Sequence, residues 1–385
     1  MMPMPAQVRR PVLGTFALLL VAGAPPAAAQ GALSLQGFGY PVGGQSTRSL
    51  GVGTSIADLD PQSPVNPAAV VMNARAQGYF QYEPEFRSVR AGGVVADTRT
   101  SRFPLFMISG RQRSVTMSLS FSSFMDRTWA NSYADTQTVG AERIASTVLT
   151  QSEGGIADAR FAAAYSLNEK VHFGLGLHAF PGRNRVSFGR AFADSAKAGA
   201  FSLSDSYNFS GSALSLGALV TPTLHLIIGG DLRFGGPLQM RLGDSTMVGE
   251  GSIPFRAGLT ATYDGIPGSV LSARVGVDRW TDLAGLGSAS LGLADATDMA
   301  VGAEIVGPRF GSSAVLFRTG FRSRGLPFSY GTDDVREKAF SGGIGLPVLA
   351  GRATLDLAVL RASRTAGAVT EKAWVISLGV GIRPQ

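Results

Sequence analysis

The chain has 385 residues, a formal charge of +7, and 45% hydrophobic but only 16% charged residues. A soluble secreted domain carries about 25% charge, and no stretch past residue 29 has the roughly 18 uninterrupted apolar residues of a spanning helix. With no cysteine, disulfides, thiol catalysis and Cys-ligated metals are excluded. The basic residues form no Lys/Arg run, which argues against nucleic acid.

Residues 1–29 read as a targeting segment. Arg9 and Arg10 precede an apolar run over 13–24, and Ala27-Ala28-Ala29 is a cleavage site that would start the mature chain at Gln30. The apolar run is short and broken by Pro25-Pro26, which disfavours a membrane anchor. Residues 30–73 are too rich in Gly, Pro and Asp for a strand or a long helix. Asn66 is placed to cap a short helix, with Pro67 at its first turn. This segment is expected to be a hatch, a plug inside whatever follows.

Residues 74–385 hold fourteen alternating, Gly-rich strand candidates, roughly 75–90, 102–111, 114–124, 155–168, 171–187, 200–220, 223–241, 248–264, 269–282, 297–307, 312–323, 335–348, 352–363 and 370–383. In the fifth, Val171, Phe173, Leu175 and Leu177 alternate with His172, Gly174, Gly176 and His178. In the last, Trp374, Ile376, Leu378 and Val380 alternate with Val375, Ser377, Gly379 and Gly381. One face is bulky and apolar, the other small or charged, the reverse of a soluble sandwich. Short connections such as Gln112-Arg113 and Glu169-Lys170 alternate with longer ones at 91–101, 125–154, 184–199, 283–296 and 324–334. Short periplasmic turns and long extracellular loops are the outer-membrane pattern. The expectation is all-β: a transmembrane antiparallel β-barrel of about 14 strands with an N-terminal hatch in its lumen, in the bacterial outer membrane, surrounded by lipid. Basic residues near strand ends would meet lipid headgroups.

Catalytic signatures are missing. There is no Gly-x-Ser-x-Gly, Walker loop or His-Glu-x-x-His. His172 and His178 lie about 20 Å apart along one strand, too far for one metal, and the histidines sit toward the periplasmic halves. No enzyme, metal or cofactor is expected. Alternation turns Asp158, Arg160, Asp231, Arg233, Arg256, Arg274, Asp278, Glu304, Arg318 and Asp356 inward. These charges either pair with one another, filling the lumen and holding the hatch, or offer an arginine, Arg160 or Arg233 first, to a ligand's anionic head. The segment 125–154 carries Trp129, Tyr133, Ile144, Val148 and Leu149. It reads as an ordinary extracellular loop with an aromatic base, or as a groove that captures an amphipathic ligand.

Specific motifs add a resemblance. Gly37-Phe38-Gly39, Ser46-Thr47-Arg48-Ser49-Leu50-Gly51, Ala57-Asp58 and Asn66-Pro67-Ala68-Ala69 resemble the hatch of the FadL/TodX superfamily of outer-membrane transport proteins. Ser152-Glu153-Gly154-Gly155, the run 340–347, Leu355-Asp356-Leu357-Ala358 and Ile376-Ser377-Leu378-Gly379 resemble a branch of it. The resemblance implies fourteen strands and passive uptake of a hydrophobic small-molecule ligand such as a long-chain fatty acid or hydrocarbon. It also implies release sideways through a gap near the third strand. Shuttle barrels of the type IX secretion system share the architecture and a similar Asn-Pro-Ala, so a protein partner held on exposed loops is the alternative. The lumen separates the two: a transporter needs an apolar cavity and a break in the wall, a shuttle needs large ordered loops.

Overall fold

The computed structural model describes residues 39–73, 75–91, 94–140, 142–286, 292–310, 313–330, 333–349 and 351–383. The expected targeting segment and residues 30–38 of the expected hatch lie outside the described residues.

Fourteen antiparallel strands close into a barrel. They are β1 (Gln77–Ala91), β2 (Val94–Gln112), β3 (Val115–Asp126, continuing as Trp129–Val139), β4 (Glu142–Ser166) and β5 (Val171–Ala179, continuing as Gly182–Phe192). Next come β6 (Phe201–Thr223), β7 (Leu226–Leu242), β8 (Met247–Ser252, continuing as Phe255–Ile266), β9 (Ser269–Arg279) and β10 (Ala296–Phe310). The last four are β11 (Ser313–Tyr330), β12 (Asp333–Val348), β13 (Ala353–Ala366) and β14 (Val369–Ile382). The ladder Thr370↔Arg90 to Ile382↔Gly78 joins β14 to β1 and leaves no terminal edge.

Alternation sets the faces. In β14, Glu371, Ala373 and Ser377 are buried, while Trp374, Leu378 and Ile382 are exposed. The outer surface repeats this around the ring with Phe103, Phe173, Leu259, Met299 and Phe340. An apolar exterior around a small and polar interior is the solvent preference of a membrane barrel. Among the described residues no helix is long and apolar enough to cross a membrane.

Several expected loops and one expected turn need correction: residues 94–101, 184–192 and 324–330, read as parts of long connections, are strand in β2, β5 and β11. Residues 125–154 are not a loop: they are the distal half of the β3–β4 hairpin, paired from Trp129↔Ser152 to Val139↔Glu142. The β-branched pair Thr147-Val148 suits a ladder that satisfies its own backbone. The expected capture residues Trp129, Tyr133, Ile144, Val148 and Leu149 therefore stand on strands. The turn expected at Thr221-Pro222 falls instead at Leu224-His225, and Pro222, which has no N–H to give, sits where the β6–β7 register slips.

One irregularity repeats around half the ring. β3 breaks at Arg127-Thr128, β5 at Phe180-Pro181 and β8 at Ile253-Pro254, and the β6–β7 register slips between Gly235 and Leu238. The breaks are neighbours in register, since Asp126 faces Gly155, Gly182 faces Ile156 and Phe209, and Leu238 faces Gly211. Bulges bend strands and re-aim side chains. Here the belt turns an arc of apolar residues inward.

Candidate functional site

The N-terminal segment is built on two caps. Ser46 accepts from Ser49 N–H at the start of α1 (Thr47–Gly51). Asn66 accepts from Ala68 N–H, at 2.8 Å, at the start of a 3-10 helix (Pro67–Met72). Its partners lie on strands all round the ring. Thr47 meets Ser377 of β14 at 2.8 Å, Arg48 donates to Glu304 of β10 at 3.0 Å, and Arg274 of β9 donates to Asp58 at 3.0 Å. Thr260 of β8 donates to Asp58, and Asn66 donates to Ala218 O of β6. Residues 46–73 thus fill the barrel's interior below the belt, and Tyr40 and Pro41 pair with Asp126 and Met125 at it. Inward glycines give them room: a Cβ at Gly217 would collide with Asn66 Oδ1, and one at Gly320 with the Val52–Gly53 backbone.

Above this segment the lumen has two sectors. The apolar sector holds Phe124, Ile156, Phe180, Phe209, Leu238 and Ile253 from the belt. Trp280, Leu283 and Leu286 of a 3-10 helix (Trp280–Leu286) fold in over them. Phe124 stacks on Trp280 at 5.6 Å and meets Phe180 edge-on at 4.9 Å.

The charged sector lies across β11–β14, β1 and β2. Glu337 accepts from Arg322 and Arg324, each at 2.8 Å, from Arg364 at 2.6 Å and from the Tyr40 hydroxyl at 3.0 Å. Arg364 also donates to Glu85 and Glu371, and Arg102 to Glu83 and Glu85. Tyr40 sits beneath the guanidinium groups, with Arg364 4.6 Å from its ring centre. Five arginines here face four glutamates and Asp126, so the cluster neutralises itself without an outside anion.

Between the sectors the wall is open. The β2–β3 ladder runs only from Leu105↔Ser122 to Gln112↔Val115. Pro104, with no N–H, stands where it stops. Among the described residues, β3 beyond Ser122 pairs with β4 and with the two-residue bridge Tyr40–Pro41, not with β2. A cavity of about 580 Å³ lies in this gap. It is lined by Ser101, Phe121 and Ser123 on the outer side and by Arg102, Met125 and Ile156 on the inner side. Met125 and Ile156 belong to the apolar cluster, so the cavity's inner lining is the edge of the apolar sector.

The inward charges are divided between pairing and freedom. Arg274 joins Asp58 and Asp298, while Arg318 joins Glu304 and Asp356. Asp231 lies 3.9 Å from Arg256. Arg233 reaches only Pro254 O at 3.4 Å and Asp278 at 3.8 Å, and lies 5.4 Å from the Phe124 ring centre. Arg160, fully buried, donates Nη1 to Val65 O at 3.2 Å, and its Nε and Nη2 have no hydrogen-bond partner among the described residues. On the distal hairpin, Ile144 and Val148 are buried, whereas Tyr133 and Leu149 are exposed. One constellation was not visible in the sequence. Asp158 of β4, His178 of β5 and Ser215 of β6 form a chain of hydrogen bonds, 2.8 Å at each ring nitrogen. Asp158 and His178 were placed inward by alternation, but only the registers Arg160↔His178 and Gly176↔Ser215 bring Ser215 to them.

No family model matches the chain, and no curated protein matches it in sequence. Among solved structures it is similar to a Pseudomonas aeruginosa FadL homologue, with TM-score 0.65 and 12% identity, covering 90% of this chain and 99% of that one. It is also similar to the CymD monoaromatic hydrocarbon channel, with TM-score 0.54 and 13% identity, covering 92% and 99%. The Pseudomonas putida toluene transporter TodX gives TM-score 0.51 and 12% identity, covering 91% and 96%.

Proposed function

We propose that this barrel, which shares the fold of the FadL and TodX channels, is an outer-membrane channel for passive uptake of hydrophobic or amphipathic small molecules. The observation that carries the reading is that Met125 and Ile156 of the apolar sector also line the gap between β2 and β3. The hatch is residues 30–73, and the long-hairpin end faces outward. A solute is captured at the distal hairpins, where Trp129, Tyr133, Ile144 and Val148 share one face and Leu149 stands on the other. It then displaces side chains of the apolar sector and leaves sideways into the bilayer, so it never crosses the hatch. Long-chain fatty acids and hydrocarbons fit this route, because burial is worth about 0.8 kcal/mol per methylene and the tail dominates affinity. Arg160, with two unsatisfied donors, holds an acid's head, and Arg233, against the Phe124 ring, is the weaker candidate.

The test is uptake into proteoliposomes of a long-chain acid and of a neutral hydrocarbon of equal length. Wild type is expected to take up both above empty vesicles. Ser123→Trp, which fills the wall cavity, is expected to slow both, and Arg160→Gln to weaken only the acid, the charged bond adding about 1.5–3 kcal/mol. Equal loss for both ligands in Arg160→Gln rejects the head-group role. No uptake by wild type favours the alternative, a barrel that holds a protein partner on its hairpins.

A further inference from the structure

We propose that Ser215, His178 and Asp158 form an acyl-transfer centre on the lumen wall, able to hydrolyse a carboxylic ester whose apolar tail occupies the apolar sector. The inference rests on the uptake reading for access, because all three side chains are buried.

The geometry is that of an activated serine. A carboxylate only accepts, so Asp158, 2.8 Å from His178 Nδ1, fixes the hydrogen on that nitrogen. His178 Nε2 is then left to accept from the Ser215 hydroxyl, also at 2.8 Å. Nucleophile, base and orienting acid are recognised by these roles and not by chain order or by the local turn. Here the serine stands on a flat strand, outside any Gly-x-Ser-x-Gly elbow, which is why no motif marks it.

Two further features separate this array from a simple polar ladder. The first is Arg160. Its Nε and Nη2 are buried and unpartnered among the described residues, and its side chain comes to the same small space as the other two. A Cβ built on Gly176 would collide with Ser215 Oγ, lie 3.4 Å from His178 Nε2 and lie 3.5 Å from Arg160 Cδ. Gly176 thus leaves the serine's face uncovered, with unused N–H donors on the neighbouring strand to receive an oxyanion. The second is the neighbourhood. His178 stacks on Phe180 at 5.9 Å, and Phe180 belongs to the apolar cluster. An ester carbonyl at Ser215 would have its tail among those side chains.

The chemistry balances with water as the only co-reactant. His178 Nε2 takes the Ser215 proton as Oγ bonds to the acyl carbon, and the ester's alkoxy oxygen departs with that proton. Water then gives a proton to His178 and its oxygen to the acyl carbon. Ser215 Oγ leaves and is reprotonated, releasing a carboxylic acid. Ser215 and His178 are the catalytic residues, and Asp158 is a positioning residue.

The experiment treats the purified full-length barrel in detergent with a long-chain alkyl fluorophosphonate and maps the labelled peptide by mass spectrometry. Ser215 is expected to be labelled at least about tenfold faster than any other serine. Labelling should be lost in His178→Gln, whose folded state is checked by its mobility on an unheated gel. A p-nitrophenyl ester of a long-chain acid should be turned over by wild type and not by Ser215→Ala. Absence of labelling in a barrel that takes up hydrocarbon overturns the acyl-transfer centre and leaves the channel standing. Absence of both overturns the two together. Labelling without uptake supports the centre and overturns the channel. Labelling that persists in His178→Gln overturns the proposed base.

Discussion

The apolar and charged sectors share one lumen at one height, yet they are held by different physics. In the charged sector every glutamate has a named arginine, and Glu337 and Glu85 each accept from three of them. A buried charge is tolerable only when its partners are in place, and losing one partner costs about 3–5 kcal/mol. The apolar sector has no such bonds to lose. A hydrocarbon that pushes Phe180 or Leu238 aside replaces the contacts it breaks with its own, at no cost in hydrogen bonds. On the proposed reading one sector is a fixed wall and the other a displaceable filling next to the wall gap.

The sharpest way to break this contrast is Glu337→Ala. It takes a carboxylate acceptor from three guanidinium groups and from the Tyr40 hydroxyl, and should cost about 3–5 kcal/mol. The readout is the temperature at which the fast-migrating folded band disappears on a gel. A shift no larger than that of Lys197→Ala, which breaks a pair about half exposed, would remove the distinction between the sectors. Added hydrocarbon should not rescue Glu337→Ala, because an alkane cannot satisfy an arginine.

Leu238→Ala is the counterpart. Its expected cost is about 2–3 kcal/mol, within the range for buried Leu→Ala. Apolar cavities bind apolar ligands, and binding to the folded state alone stabilises it. Hydrocarbon should therefore raise the Leu238→Ala melting temperature more than that of wild type. Equal rises would mean that ligand does not bind in this sector.

Much of the barrel was legible because alternation is a local property. Trp374, Leu378 and Ile382 announce their outward face without knowledge of their neighbours. The distal hairpins were less legible, since 125–154 begins and ends with Gly, Asp and Arg that read as loop, although Ile144, Ser146 and Val148 already alternate. The belt had a signal too: Pro181, Pro254 and Gly235-Gly236 fall inside strand candidates, where such residues mark bulges. The Asp158–His178–Ser215 array had none. It spans three strands, and its assembly depends on register, which a one-residue slip would change.

A smaller effect probes what both sectors rest on. Gly217→Ala places a Cβ against Asn66 and should cost about 1–3 kcal/mol as overpacking. If residues 40–73 close the lumen, single-channel conductance should rise as they shift. Unchanged conductance with lowered stability would show strain absorbed by the wall and not by the segment.

The smallest expected effect is at Asn66 itself. Its side chain does two jobs: Oδ1 caps Ala68 N–H, and Nδ2 ties the segment to Asp58 O at 2.9 Å and to Ala218 O of β6 at 3.3 Å. Asn66→Leu removes both, and the cap alone is worth about 1 kcal/mol. Asn66→Ser keeps a capping hydroxyl but cannot span to Ala218, so the pair of variants divides the loss. Should the cap dominate, Ser recovers most of the resistance of residues 40–73 to limited proteolysis. Should the tie to β6 dominate, Ser behaves like Leu, and the segment is held by the wall more than by its own helix. Wild-type resistance in both variants would mean that Asn66 holds nothing, and that the ion pairs through Arg48 and Asp58 suffice to keep the segment in place under either sector.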